Sequence, residues 1–186
     1  MSFIDDIKRY NPYNEQEAKD KDLIIKAINS CSNIFTRENI IMHMTSSGYI
    51  VNKNRDKVLM IYHKIYDSWS WTGGHADGES DLLHVAIKEA SEETGLENLY
   101  PIEKDIFSLD VLTVDGHIKN GKYVSSHLHL NVTYLLEGDE EEELKVNKNE
   151  TKGVKWIPIN ELNDYCSEPY MVSMVYNKLN EKILGK

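Results

Sequence analysis

Two hydrophobic rhythms run along the chain, one with the period of a helix and one with the period of a strand, and their succession predicts the elements. Between Asn14 and Cys31, Leu23, Ile24, Ala27 and Ile28 recur at helical spacing among Glu, Lys and Asp. That spacing predicts an amphipathic helix with Asn14 as its cap, and Asn11-Pro12 before it reads as a turn or an ordered lead-in. Two strands follow, His43 to Val51 and Lys57 to His63, joined by the polar turn Asn52 to Asp56. In the second strand Val58 to Tyr62 is an almost unbroken apolar run, the pattern of a strand covered on both faces.

The stretch from Gly73 to Leu96 switches to the helical period. Gly73, Gly74 and Gly78 allow a sharp backbone bend, Ser80 is placed to cap a helix, and Gly95 with Leu96 after it is placed to end one. Leu83, Ala86, Ile87 and Ala90 form the stripe expected to bury, while Glu89, Glu92 and Glu93 share another face. Beyond the helix, Ile106 to Val114 and Lys122 to Leu136 read as two longer strands with turns at Asp115-Gly116 and Asn120-Gly121. In the second of them His127, His129 and Asn131 alternate with Leu128, Leu130 and Val132, so the polar trio lies on one face. Such a pair of histidines binds a metal, reaches a phosphate or simply meets solvent.

The acid run Glu137 to Glu143 reads as an exposed loop. Val154 to Ile157 is a last strand ended by Pro158, and Asn160 to Tyr165 starts a short helix. Tyr170 to Leu184 is a closing amphipathic helix that buries Met171, Met174, Val175 and Leu179. Strands, a helix, more strands and terminal helices add up to an α/β fold with a mixed sheet between helical layers. Residues 1–34 form a helical extension packed on a domain of residues 35–186, a dimer contact being the other use of that helix.

The charge narrows the partners. With 186 residues and a net charge of −10, the chain shows no basic run that would neutralise a nucleic-acid backbone. It has no basic, then apolar N-terminal leader and no apolar stretch long enough to cross a bilayer, so a cytoplasmic protein is expected. Cys31 and Cys166 lie far apart and outside any C-x-x-C spacing, as free thiols do.

The acidic helix face carries the chemistry. Like charges three and four residues apart repel by roughly 0.2–0.5 kcal/mol per pair, and here they also crowd the negative end of the helix dipole. Lys88, four residues before Glu92, offsets part of this. A hard divalent cation would offset more, because such ions take carboxylate oxygens and keep positions open for water and phosphate.

The segment resembles the signature box of the Nudix hydrolase superfamily: Gly, five residues, Glu, seven residues, Arg-Glu, an aliphatic, any residue, Glu-Glu, any residue, Gly, aliphatic. Counted back from Gly95 and Leu96, the chain supplies Gly74, Lys88 in the Arg place, Glu89, Ala90, Glu92 and Glu93. The front half departs: Ser80 occupies the place of the loop Glu, and Glu79 stands one residue early. Lys for Arg keeps the charge and loses the bidentate fork.

The resemblance implies a Nudix-type α/β/α sandwich with a mixed β-sheet and a pyrophosphohydrolase dependent on Mg²⁺ or Mn²⁺. Its substrate would be a small molecule, a nucleoside diphosphate linked to another moiety. Glu89, Glu92, Glu93 and Glu79 are the implied metal ligands, with Glu89, Glu92 or Glu150 as the base that activates water. Gly74, His75, His127, His129 and Trp71 are the candidate substrate contacts, Trp71 competing with Trp69 for a base-stacking or a core role. Gly73, Lys88 and Gly95 hold the motif together. A nucleotide-sensing regulator without turnover is the alternative, though such a module has no need of the three acids. An isopentenyl-diphosphate isomerase is a further one, but neither cysteine lies in a strand beside the box. A homodimer is compatible with all of these readings.

Overall fold

The computed structural model describes residues 3–119, 121–147 and 151–185. In chain order the elements are α1 (Phe3–Arg9), α2 (Glu15–Ser30), β1 (Met42–Val51), β2 (Lys57–His63), β3 (Ser68–Ser70), β4 (Thr72–His75) and α3 (Leu82–Thr94). There follow β5 (Tyr100–Pro101), β6 (Ser108–Val114), β7 (His117–Lys119), β8 (Lys122–Val124), β9 (His127–Glu137) and β10 (Thr151–Pro158). A 3₁₀ turn (Ile159–Glu161), α4 (Leu162–Tyr165), a π-helical turn (Met171–Tyr176) and α5 (Asn177–Leu184) close the chain.

Caps and turns set the ends of these elements. The Asn14 side chain accepts from the Glu17 N–H at 2.9 Å, which starts α2 where the sequence places it. At α3 the cap is Asp81 and not Ser80: its carboxylate accepts from the His84 N–H at 3.0 Å. An anionic acceptor answers both the open N–H groups and the helix dipole, so it displaces the neighbouring serine. Gly95 ends the helix in the left-handed region at φ 78°. Between β1 and β2 the Asn52 carbonyl oxygen takes the N–H groups of Asp56 and Lys57, each at 3.1 Å.

The residues divide into two compact units. The first comprises Met1–Ser47, Gly73–Ala86 and Glu103–Tyr134, the second Gly48–Thr72, Ile87–Ile102 and Leu135–Lys186. The division falls inside β1, β4, α3 and β9.

In the first unit β6 pairs antiparallel with β9 from Ser108 opposite Thr133 to Val114 opposite His127. The Leu128 N–H meets the Ile41 carbonyl at 2.9 Å. In the second unit the Gly138 N–H meets the Val51 carbonyl at 3.0 Å. The two bonds keep one offset with both strands advancing together, so β9 runs parallel to β1 and the sheet is mixed. Helices α1 and α2 belong to the first unit, and α1 lies ahead of the stretch whose spacing predicts a helix. The strand expected over Lys122 to Leu136 is broken at Ser125 and Ser126. Its first part forms a separate hairpin with β7, because the Ser126 hydroxyl takes the Gly116 N–H at 2.9 Å and the Ser125 carbonyl takes the His127 ring nitrogen.

In the second unit β2 is the central strand. One of its edges carries β10 from His63 to Lys57, and the other is shared by β1 and β3. That position explains the unbroken apolar run of Val58 to Ile61, all fully enclosed. Tyr49, Trp71 and Tyr176 pack edge-on and stacked, with the Tyr49 hydroxyl donating to Asn180 at 2.7 Å. The C-terminal segment buries Val175, Tyr176 and Leu179, whereas Met174 is 39% exposed, contrary to the helical wheel. The π-helical turn, whose Asn177 N–H reaches back to Val172, inserts a residue and rotates the buried face.

The candidate carboxylate helix and a histidine cluster

Helix α3 buries Leu82, Val85, Ala86 and Ala90, with Leu83 and Ile87 only partly covered. The inner stripe therefore runs one position earlier than the sequence suggested. Apolar residues at 82, 83, 85 and 87 are compatible with two stripes, and packing selects one. The consequence falls on the acids, because Glu89 and Glu93 continue the buried stripe at three- and four-residue spacing. Glu93 is 5% exposed. The Glu89 side chain is 20% exposed and that of Glu92 is 55% exposed. The three carboxylates share one arc of the helix, and within it they form a graded series from interior to solvent.

Lys88 stands over the outer two. Its ammonium is 3.3 Å from Glu89 and 3.6 Å from Glu92. The hydrogen bond to Glu89 and the charges of both acids hold its pKa above the ordinary lysine range. An ammonium bridges two carboxylates as a point charge, where a guanidinium would clamp one with a planar fork. Beyond Gly95, the Lys145 N–H closes on the Thr94 carbonyl at 2.8 Å, and a Cβ on Gly95 would stand 2.9 Å from that same Lys145 nitrogen.

The glycine-rich turn lies in the first unit. A Cβ on Gly73 would stand 2.6 Å from the Ser47 hydroxyl and 2.7 Å from the Ser46 carbonyl, so only glycine fits against β1 there. Gly74 and His75 complete β4, and the Ala76 N–H bonds the Met44 carbonyl at 3.1 Å. Asp77 adopts φ 48° and forms a two-point ion pair with Arg37 at 2.8 and 2.6 Å. Glu79 is exposed, and its carboxylate accepts from the Asp81 N–H at 2.8 Å.

Four imidazoles meet in this unit. His43 at the start of β1 has ring centroids 5.1, 5.0 and 5.1 Å from His75, His127 and His129. His75 is 5.0 Å from His129, and the Nε2 atoms of His127 and His129 are 3.2 Å apart. Burial, reinforced by the neighbouring rings and Arg37, lowers the His75 pKa to about 4. Burial with the other histidines lowers His129 to about 2, and burial likewise lowers His43. These three rings are neutral at physiological pH and offer lone pairs. On the same strands Asn131 accepts the hydroxyls of Thr45 and Ser47, each at 2.9 Å, which fixes β1 against β9.

Of these, His75, His127 and His129 stand among the candidate substrate contacts and His43 does not, and the structure brings all four together. The signal was the period of two in His43-x-Thr45-x-Ser47, the counterpart of His127-x-His129-x-Asn131. Trp71 is 9% exposed, enclosed by Tyr49 and Tyr176, while Trp69 packs edge-on to Tyr62. Glu150 and Asn120 lie outside the described residues.

A family model for the NUDIX domain matches residues 42–176. The chain belongs to the NUDIX family. Among solved structures, the Nudix chain is similar to a C. elegans Ap4A hydrolase in a binary complex, with 18% identity and a TM-score of 0.57 over 77% of this chain and 98% of that one. It is also similar to the M. smegmatis Nudix hydrolase RenU, with 15% identity and a TM-score of 0.55 over 77% and 86% of the two chains. A NUDIX-family hydrolase from Clostridium perfringens gives 24% identity and a TM-score of 0.51 over 74% and 96%. At these identities the likeness is one of fold. Comparison with curated protein sequences finds no match. The Nudix match includes all of β1 to β10 and the whole of α3, and it begins after α2.

Proposed function

We propose that this Nudix chain is a metal-dependent hydrolase that cleaves a phosphoanhydride in a nucleoside diphosphate linked to another moiety. The observation that carries the reading is the α3 constellation: Glu89 and Glu93 on the inner stripe, Glu92 outside it, and Lys88 within 3.6 Å of Glu92 and 3.3 Å of Glu89. Carboxylate oxygens are hard donors and suit Mg²⁺ or Mn²⁺. When bound, the cation neutralises phosphate charge and acidifies a water.

The chain's own residues do the rest. Glu89 and Glu93 would hold the ion, and their partial burial would make their charge worth more to it than it would be in water. Glu92 is a further ligand or orients one, kept in place by Lys88. The proton of the attacking water passes to Glu89, Glu92 or Glu150. Gly74 supplies a backbone approach free of side chain, and His75, His127 and His129 reach the phosphate oxygens. Glu79, whose carboxylate is engaged with the Asp81 N–H, would be an outer ligand.

The substrate class is a small nucleotide derivative, and a dinucleoside polyphosphate, the class named for the C. elegans neighbour, belongs in the first panel tested. The acidic surface opposes nucleic acid. No helix among the described residues is long and apolar enough to cross a membrane, and a cytoplasmic location is part of the proposal. The test is phosphate release from a panel of nucleoside diphosphate derivatives, with and without Mg²⁺ or Mn²⁺, using a coupling phosphatase. Turnover that requires the ion and disappears in Glu93→Gln supports the reading. Nucleotide binding without turnover on any member of the panel overturns it.

A further inference from the structure

We propose that His43, His75 and His129 form a second metal site, selective for a borderline transition ion such as Zn²⁺ and separate in ligand chemistry from the carboxylate site of α3. One donor atom from each of these side chains lies within 4.8 Å of the other two. At a Zn–N distance of about 2.05 Å, tetrahedral donors stand about 3.4 Å apart, so closure requires each imidazole to move by less than about 1 Å.

The second observation is independent of that convergence. The Nδ1 of His43 lies 3.0 Å from the Asn39 carbonyl, to which it donates, and this tautomer leaves the lone pair on Nε2. That Nε2 is buried in a side chain of a residue only 4% exposed, and it has no hydrogen-bond partner. A buried acceptor without a donor is rare in a folded protein. A ligating histidine shows this same arrangement, one nitrogen given to a backbone carbonyl and the other to the metal. His127 repeats only the first half of it, with Nδ1 on the Ser125 carbonyl at 2.8 Å and Nε2 at 3.2 Å from the Nε2 of His129.

The donors select the ion. Three neutral imidazoles suit Zn²⁺, Ni²⁺ or Cu²⁺ and are poor ligands for Mg²⁺, which prefers oxygen. Three protein ligands leave at least one coordination position open, as in catalytic zinc sites, and water or a phosphate oxygen would take it. The proposed contacts of His75 and His129 with phosphate would then pass through the ion. The site itself holds whether or not the chain hydrolyses phosphoanhydrides.

The experiment uses the full chain without an affinity tag, stripped with a chelator and dialysed against excess Mg²⁺. Zn²⁺ is titrated in competition with a chromophoric chelator, and Co²⁺ is followed by its visible spectrum. The expected result is one tightly held equivalent, with Co²⁺ bands of nitrogen ligation. His43→Gln, His75→Gln and His129→Gln should each weaken Zn²⁺ by more than about 100-fold, the upper range for loss of a mere supporting contact. Circular dichroism checks that each variant folds, and the more exposed His75 carries the test if His43→Gln does not. Retention of no Zn²⁺, or affinity unchanged in the folded histidine variants, overturns the site. So does affinity that is lost in Glu89→Gln or Glu93→Gln and kept in the histidine variants. Mg²⁺-dependent turnover is measured separately, so failure of the hydrolase reading leaves a distinct signature.

Discussion

The Glu17 carboxylate on α2 accepts the Ser108 hydroxyl of β6 at 2.9 Å, across 91 residues of chain. Both residues are fully buried. The same carboxylate takes the Tyr10 hydroxyl and, at 2.7 Å, the Tyr13 N–H. One acid therefore gathers the lead-in, the second helix and the sheet of the first unit. Glu17→Ala takes this acceptor from the Tyr13 N–H, while the Ser108 and Tyr10 hydroxyls can turn to Asp110 at 2.7 Å and to the Phe107 carbonyl at 3.1 Å. A loss of about 1–3 kcal/mol is expected in denaturant unfolding, with a smaller loss for Glu17→Gln. A loss below about 1 kcal/mol would mean that water replaces the carboxylate.

Lys88 provides a graded test of the helix acids. Lys88→Ala removes the cation shared by Glu89 and Glu92, and kcat should fall about tenfold while the fold stays intact. Lys88→Arg should keep the activity or raise it, because the guanidinium restores a two-point brace. Steady-state kinetics of both variants on one substrate, with Glu93→Gln expected to lose at least about 100-fold, distinguishes bracing from ligation.

Gly73→Ala forces a methyl group to within 2.7 Å of the Ser46 carbonyl, and backbone cannot swing aside as a side chain can. Overpacking of this kind costs about 1–3 kcal/mol. Gly78→Ala is the control: it meets open space and carries only the strain of φ 94°, about 1 kcal/mol. Thermal melts should rank Gly73→Ala as the less stable of the two, and the reverse order would refute the close packing of the turn on β1.

Cys166 is buried, and burial pushes its thiol up to about 12, with the Glu168 charge adding to the shift. A raised thiol pKa means the protonated, unreactive form at neutral pH. Cys31 is partly exposed and both cysteines are free. Iodoacetamide near neutral pH should label Cys31 first, and Cys166 only after denaturation. Mass spectrometry giving rapid native labelling of Cys166 would contradict this, and would also reopen the isomerase reading, which needs an accessible thiol.

The acidic loop at 137–143 shows how composition and structure divide the account. Its run of acids predicts an exposed loop, and Glu141 and Glu143 are exposed. Yet Glu140 pairs with Lys57 at 2.8 Å and Glu142 takes the Glu97 N–H at 2.6 Å, so two of the acids hold neighbouring segments. A run of identical charges contains no sign of which member finds a partner.

Short-range physics controls everything that could be read from the order of residues alone. The cap at Asn14, the left-handed stop at Gly95, the boundaries of β2 and the alternation of His127, His129 and Asn131 depend on neighbours a few residues away. The spacing of Lys88, Glu89, Glu92 and Glu93, and with it the family, was legible for the same reason. Tertiary structure decided which of two apolar stripes on α3 turned inward, and so that Glu93 is buried while Glu92 is not. It also decided that Met174 stays outside beyond the π-helical turn and that Glu17 reaches Ser108. The gathering of His43 with His75, His127 and His129 belongs here too, since these residues converge only when β1, β4 and β9 lie side by side. Burial and long-range pairing are properties of the packed chain, and no local pattern encodes the partner that a side chain meets after folding.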